Sequence, residues 1–177
     1  MAAPRSISAP RAVLVMGVSG CGKSTVGAGL AARLGAPFLE GDDFHPEANR
    51  RKMAAGVPLD DADRWPWLAE VGAALGTAAQ ESGIAVAACS ALKRAYRTAL
   101  AEAAGVPLTV VHVHADPDLI RTRMQARSGH FMPLSLLESQ LATLETPQEA
   151  EAPIRLDAAQ PLDRLLADAA ARIAEGV

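Results

Sequence analysis

Aromatic residues are scarce in this sequence: three phenylalanines, two tryptophans and one tyrosine make up 3% of its 177 residues. Half of all residues are nonetheless apolar, so a core has to be built from aliphatic side chains. No apolar run approaches the roughly 18–20 residues that a membrane-spanning helix needs. Positive charge is not in excess either, because the net charge is −3, which disfavours general nucleic-acid binding through phosphates. We therefore expect a globular protein with neither a membrane nor a nucleic acid as partner.

Cysteine is also rare, and Cys21 and Cys89 match neither a disulfide framework nor a metal site. We expect free thiols and a reducing location, the cytoplasm. The first eleven residues are rich in alanine, proline, serine and arginine and lack the apolar stretch of a secretory signal. We interpret residues 1–11 as a flexible tail, with a remnant of an organelle-targeting sequence as the alternative.

Strand-like and helix-like patterns alternate along the rest of the chain and predict a single α/β domain over residues 12–177. Short apolar runs predict five strands: Ala12–Met16, Pro37–Glu40, Ile84–Cys89, Leu108–His114 and Pro153–Asp157. Helical periodicity predicts helices at Lys23–Leu34, Glu47–Ala55, Trp65–Glu81, Arg94–Ala104, Pro117–Arg127, Leu134–Leu144 and Leu162–Glu175. Because the crossovers are long, we expect a parallel sheet covered by helices on both faces.

The first predicted strand leads into a glycine-rich loop of the pattern G-x-x-x-x-G-K-[ST]. Its glycines allow successive backbone N–H groups to face a phosphate, and the following helix directs its N-terminus at the same anion. Lys23 is expected to contact the β- and γ-phosphates and Ser24 to bind Mg²⁺. Thr25, the next helical residue, either packs or completes the site. The predicted ATP-binding loop consists of Gly17, Val18, Ser19, Gly20, Cys21, Gly22, Lys23 and Ser24.

Two carboxylates follow the second predicted strand, at the edge where parallel sheets bind ligands. Glu40 and Asp42 are two residues apart, so they face the same way on an extended chain. We predict that Asp42 accepts the proton of an attacking hydroxyl group and that Glu40 contacts magnesium through water. The alternative is a polar loop that caps the next helix, a role that suits Asp43 better than Asp42.

A polar segment follows, in which eleven of the twenty-five residues 40–64 are charged. His45, Asn49 and Lys52 lie on one stripe of its predicted helix. The stripe is either part of an acceptor site or a solvated helix face. Both tryptophans of the chain come directly after this segment and belong either to the site or to the core.

Lysine is rare among the basic residues, since only Lys23, Lys52 and Lys93 stand beside fourteen arginines. Where arginine is the usual cation, a lysine indicates a place that needs a compact ammonium group. Lys93 and Ser90 follow the third predicted strand, where they can reach a substrate or a metal-bound water. For Lys93 the alternative is the exposed start of a helix.

Further residues are predicted for the nucleotide. Arg123 and Arg127 lie one helical turn apart before a predicted mobile segment and can close over the phosphates of ATP. Neutralisation of the helix dipole is the alternative, and it explains Arg127 better than Arg123. His130 either contacts substrate or packs at a hinge. Gln160 and Pro161 link the last strand to the last helix, where the adenine edge can rest.

Taken together, these segments resemble the gluconokinases, a family of small phosphate-loop sugar-acid kinases related to shikimate and adenylate kinases. The resemblance covers nearly all of residues 13–174 and rests on M-G-V-S-G-C-G-K-S-T, G-D-D-F-H-P-E-A-N-R-R-K-M, G-V-P-L-D-D-A-D-R-W-P-W-L, C-S-A-L-K-R-A-Y-R, R-T-R-M-Q-A-R-S-G-H-F and A-Q-P-L. It implies a P-loop NTPase fold of three α/β/α layers. The expected parallel sheet has the strand order 2-3-1-4-5, with a helical lid at about residues 128–146.

The resemblance also implies a reaction, in which ATP and Mg²⁺ phosphorylate the 6-hydroxyl of D-gluconate to give 6-phosphogluconate and ADP. Several members of the family are homodimers. The implied catalytic residues are Asp42, Lys23 and Arg127. The residues proposed for the substrate are Asp42, His45, Lys52, Arg64, Ser90, Lys93 and His130. Two alternatives remain: a kinase of another small sugar acid or of shikimate, and a non-catalytic ATP-binding module.

Overall fold

A five-stranded parallel sheet lies at the centre of the fold, in the order β2-β3-β1-β4-β5. The computed structural model describes residues 9–126 and 134–176. The strands are β1 (Arg11–Met16), β2 (Phe38–Glu40), β3 (Ile84–Ala88), β4 (Leu108–His114) and β5 (Ile154–Asp157). The predicted sheet and its strand order are therefore confirmed. Both ends of each strand lie within one residue of the predicted position.

Helices cover both faces of this sheet. Those in the described residues are α1 (Lys23–Leu34), α2 (Glu47–Ala54), α3 (Asp61–Ser82), α4 (Arg94–Ala104), α5 (Pro117–Ala126), α6 (Leu134–Thr143) and α7 (Leu162–Glu175). Apolar side chains of α1, α5, α6 and α7 pack on one face, and those of α3 and α4 pack on the other. The three-layer arrangement follows from burying both faces of an apolar sheet. No helix in the described ranges is both long enough and apolar enough to span a membrane.

The start of α3 differs most from its prediction, because the helix begins at Asp61 rather than at Trp65. The carboxylate of Asp60 accepts the N–H of Asp63 at 2.8 Å, and the carboxylate of Asp63 accepts the N–H of Asp60 at 3.0 Å. This reciprocal cap fixes the helix one turn earlier. As a result, Arg64 is already helical and its side chain is buried.

Two short 3₁₀ helices, Gly41–Phe44 and Glu149–Glu151, were not predicted. The first follows β2 directly and carries Asp42 and Asp43 at the carboxyl edge of the sheet. The predicted tail and lid lie partly outside the described residues, although Arg11, assigned to the tail, already belongs to β1. The sheet, with its ligand-binding edge, is thus the frame on which the site is built.

Candidate active site

The glycine-rich loop passes very close to β4. A Cβ atom on Gly17, whose φ is +153°, would lie 2.5 Å from the carbonyl oxygen of Val113 and 2.7 Å from Sγ of Cys21, so only glycine fits. Gly22 adopts a left-handed φ of +99° before α1 and has no side chain to cap the helix. The first turn of α1 therefore offers its N–H groups to a ligand, beside the buried side chain of Lys23. This geometry fits a phosphate group.

A cleft of about 550 Å³ lies beside this loop. It joins the loop to the 3₁₀ helix after β2, to α3, to the end of β3 and to α6. The predicted site residues that line it are Ser19, Lys23, Asp42, His45, Arg64 and Ser90. The remaining lining residues, which were not predicted as ligands, are Met53, Pro58, Leu59, Trp67, Leu136, Ser139 and Gln140. Residues far apart in sequence thus converge on one cavity.

Asp42 and His45 lie side by side in the cleft, with Oδ1 of Asp42 3.9 Å from Nε2 of His45. The carboxylate of Asp42 is exposed, whereas the ring of His45 is buried and stacks on Trp67 with 3.9 Å between ring centres. Burial lowers the pKa of His45 from 6.5 to about 4. His45 is therefore neutral at physiological pH and does not form a charged pair with the carboxylate of Asp42.

Arg64 brings a buried positive charge to the same cleft. Its Nε and Nη2 both donate to the carbonyl oxygen of Leu59 at 3.2 Å, and its guanidinium carbon lies 5.4 Å from the ring centre of Tyr96. Arg64 forms no ion pair with any residue in the described part of the chain. Because a buried charge without a counterion is costly, this guanidinium is suited to bind an anionic ligand.

The two lysines predicted for the substrate already have carboxylate partners. Lys52 donates to both oxygens of Asp63 at 2.8 and 2.6 Å, and Lys93 donates to Oδ1 of Asp61 at 2.9 Å. These bonds raise the pKa of each lysine. Hydrogen bonds also lower the pKa of both carboxyls: the largest cause is the hydroxyl of Tyr96 for Asp61 and the ammonium of Lys52 for Asp63. Neither lysine lines the cleft that contains Asp42. Their direct contacts with a substrate stay predictions.

Gln140 of helix α6 hydrogen-bonds with the phosphate loop. The N–H of Ser19 donates to Oε1 of Gln140 at 2.7 Å, and Nε2 of Gln140 donates to Oγ of Ser19 at 3.0 Å. Leu136 and Ser139 of the same helix also line the cleft. Sequence reasoning missed Gln140, whose only signal is an amide within the largely apolar predicted lid helix.

A second cavity, of about 610 Å³, opens on the other side of the loop. Among its lining residues are five that were predicted for the nucleotide: Cys21, Gly22, Thr25, Arg123 and Gln160. Nη2 of Arg123 donates to the carbonyl oxygen of Ala158 at 2.7 Å, which fastens α5 to the loop after β5. Pro161 precedes α7 as its N-cap but does not line the cavity. Arg127 and His130 lie outside the described residues.

The thiol of Cys21 faces this second cavity but is unsuited to act as a nucleophile. Burial raises its pKa, with Lys23 opposing the shift only in part. A protonated, buried thiol reacts slowly because the thiolate is the nucleophile. Cys21 is therefore interpreted as a wall of the cavity.

The predicted magnesium ligands are Ser24, at the start of α1, and Glu40, at the end of β2. No group of three or more His, Cys, Asp or Glu side chains capable of holding a metal occurs in the described ranges. Mg²⁺ in phosphate-transfer enzymes takes only one or two protein oxygens and completes its shell with waters and phosphates. Ser24 and Glu40 offer one hydroxyl and one carboxylate, which is enough for such an ion, but neither side chain lines the two cavities described above, and their binding of Mg²⁺ stays a prediction.

Known proteins resemble this chain over most of its length. A family model described as an AAA domain matches residues 13–147. A gluconokinase from Gluconobacter oxydans is 50% identical over 157 residues, covering 89% of this chain and 88% of that protein. The thermosensitive gluconokinase of Escherichia coli K12 is 44% identical over 150 residues, covering 81% and 77%. A solved gluconokinase structure from Sinorhizobium meliloti 1021 is 47% identical, with a TM-score of 0.84 and coverage of 94% and 93%. On this sequence identity and shared fold, the chain belongs to the gluconokinase family.

Proposed function

We propose that this protein transfers the γ-phosphoryl group of ATP to the 6-hydroxyl of D-gluconate, giving 6-phosphogluconate and ADP. The observation that carries the proposal is that an exposed carboxylate, Asp42, and a buried cation without an ion-pair partner in the described ranges, Arg64, share one cleft with Lys23 of the phosphate loop. An acceptor with a hydroxyl at one end and a carboxylate at the other matches this charge pattern. The names of the relatives support gluconate as that acceptor.

Each residue has a chemical task in this proposal. Asp42 orients the attacking hydroxyl and accepts its proton. Lys23 and Arg127 stabilise the negative charge on the transferred group. Arg64 binds the carboxylate of gluconate, and His45 hydrogen-bonds its hydroxyl groups.

Ser24 and Glu40 are the residues that would hold Mg²⁺, which, bound with ATP, neutralises phosphate charge. Gly17 and the other loop glycines bring backbone N–H groups to the phosphates. Arg123 and Gln160 line the cavity proposed for the adenosine part of ATP. The chain thus offers one cavity for the nucleotide and another for the acceptor, and Lys23 of the phosphate loop lines the acceptor cleft.

Acceptor profiling tests the proposal. ADP release is measured with gluconate, with related sugar acids, with shikimate and with nucleoside monophosphates, and the phosphorylated carbon is identified by ³¹P NMR. We expect the highest kcat/KM with gluconate and phosphate on O6. A higher kcat/KM with shikimate or another acid would mean that this acid, not gluconate, is the substrate. ATP binding without turnover on any acceptor would favour a non-catalytic module.

The proposal extends to a homodimer that works in the cytoplasm. The dimer comes from the resemblance to the family, and the cytoplasmic location comes from the two free thiols, Cys21 and Cys89. Light scattering on the purified protein measures the mass directly. A mass of one chain at assay concentrations would remove the dimer from the proposal.

A further inference from the structure

Asn49 lies on α2 directly behind His45, with only 2% of its surface exposed. Its Nδ2 is 2.9 Å from the carbonyl oxygen of Asp63 and 3.3 Å from Nδ1 of His45. A carbonyl oxygen only accepts hydrogen bonds, so the NH₂ end of the amide, not its oxygen, has to face Asp63. The second hydrogen of the same NH₂ group is then directed at His45.

This hydrogen bond determines the tautomer of the imidazole. Nδ1 of His45 accepts from Asn49, and the neutral ring therefore carries its proton on Nε2. Nε2 faces Asp42, but the 3.9 Å separation is too long for a direct hydrogen bond. Because His45 lines the cleft, its Nε2–H is available to an oxygen atom that enters beside Asp42.

We propose that Asn49 is a positioning residue that keeps the proton of His45 on Nε2, so that the ring donates a hydrogen bond to the acceptor. The other tautomer would place a lone pair beside the carboxylate of Asp42 and compete with it for the hydroxyl proton. Asn49 thereby leaves Asp42 as the proton acceptor of the pair. This inference rests on the proposed function for the identity of the acceptor.

The tautomer is measured directly by ¹⁵N NMR of the histidine rings in the full chain at neutral pH. We expect the wild type to show Nε2–H for His45. In Asn49→Asp a carboxylate replaces the NH₂ donor, so the proton should move to Nδ1 or the ring should become imidazolium. Asn49→Ala should lose the preference. Arg51→Ala, which removes a surface ion pair with Glu47 on the same helix, should leave the His45 signals unchanged.

Kinetics separate positioning from general damage. In Asn49→Ala we expect KM for gluconate to rise about tenfold, the value of one hydrogen bond, while KM for ATP stays unchanged. A wild-type Nδ1–H tautomer, unchanged tautomers in both variants, or equal rises in both KM values would overturn the role of Asn49. If Asn49→Asp does not fold, the ¹⁵N spectra of the wild type and of Asn49→Ala still test whether Asn49 sets the tautomer. Absence of gluconate turnover in the wild type would overturn the proposed function instead, because the NMR result does not depend on it.

Discussion

The indole Nε1–H of Trp67 donates to the carbonyl oxygen of Gly41 at 2.7 Å, while the indole ring stacks on His45. Gly41 opens the 3₁₀ helix that carries Asp42. One side chain of α3 therefore holds both the backbone before Asp42 and the ring beside it. Trp67 belongs to the core and to the site at once, although the sequence offered these roles as alternatives.

Trp67→Phe keeps an aromatic ring against His45 but removes the donor to Gly41. We expect kcat to fall about fivefold, since the lost hydrogen bond is worth roughly 1 kcal/mol. Trp65→Phe is the matched control, because Trp65 is 40% exposed and meets the edge of Tyr96 instead. Equal losses of kcat in the two variants would contradict a specific role for Trp67.

Asp42→Asn tests the proposed base. ATP affinity, measured by calorimetry, should stay the same, and kcat should drop by roughly 10²- to 10⁴-fold, the usual cost of losing general-base catalysis. Asp43→Asn alters the adjacent exposed carboxylate and should keep most of the turnover. Near-normal kcat in Asp42→Asn would remove this residue from the role.

Arg64→Met removes the proposed partner of the substrate carboxylate. We expect KM for gluconate to rise roughly 10- to 100-fold, because charge-assisted hydrogen bonds are worth about 1.5–3 kcal/mol, with KM for ATP unchanged. Arg33→Met is the control, since Arg33 pairs with Asp163 on the surface. A rise in KM for Lys93→Met but not for Arg64→Met would place the carboxylate at Lys93 instead.

Features set by neighbouring residues could be predicted from the sequence, whereas contacts between distant residues could not. The bounds of α1, Lys23–Leu34, were predicted to the residue because a phosphate loop and a terminal glycine are local signals. The predicted start of α3 was wrong because its capping box uses two aspartates, Asp60 and Asp63, in place of the usual Ser or Thr and Glu or Gln. Contacts such as that between Ser19 and Gln140, 121 positions apart, leave no trace in spacing.

The pairing of charges was equally hidden from the sequence. Lys52 and Lys93 stood out by residue type, yet folding places a carboxylate against each of them. Arg64 was one of three cations proposed for the substrate carboxylate, and it differs from Lys52 and Lys93 in having no carboxylate partner among the described residues. Residue type identified the region of the site, whereas burial and partners identify the individual ligands.

Acid should destabilise the fold through two buried histidines. Burial lowers the pKa of His45 and of His112 from 6.5 to about 4. The unfolded chain thus binds more protons between these values, and stability that is present above pH 6.5 is lost as the pH falls toward 4. Protonation of each histidine in the unfolded chain should lower the free energy of unfolding by about 2 kcal/mol at pH 5.

His112→Phe isolates one of these two contributions. Nδ1 of His112 is buried and has no hydrogen-bond partner among the described residues, so an apolar ring of similar shape should be tolerated there. Urea unfolding at pH 7.5 and pH 5 should show about half the wild-type loss of stability. An equally steep loss in the variant would mean that His112 is already protonated in the folded state or does not titrate over this range.

Gln140→Ala tests whether the contact between α6 and the phosphate loop serves the reaction. The amide of Gln140 satisfies both the N–H and the hydroxyl of Ser19, and the same helix forms a wall of the acceptor cleft. Without this contact we expect kcat/KM for gluconate to fall about tenfold. ATP hydrolysis without acceptor should rise, because a loosened wall admits water to the phosphate. Glu138→Gln, which alters the surface pair with Arg121 on the same helix, should change neither quantity; the idea fails if it matches Gln140→Ala in both.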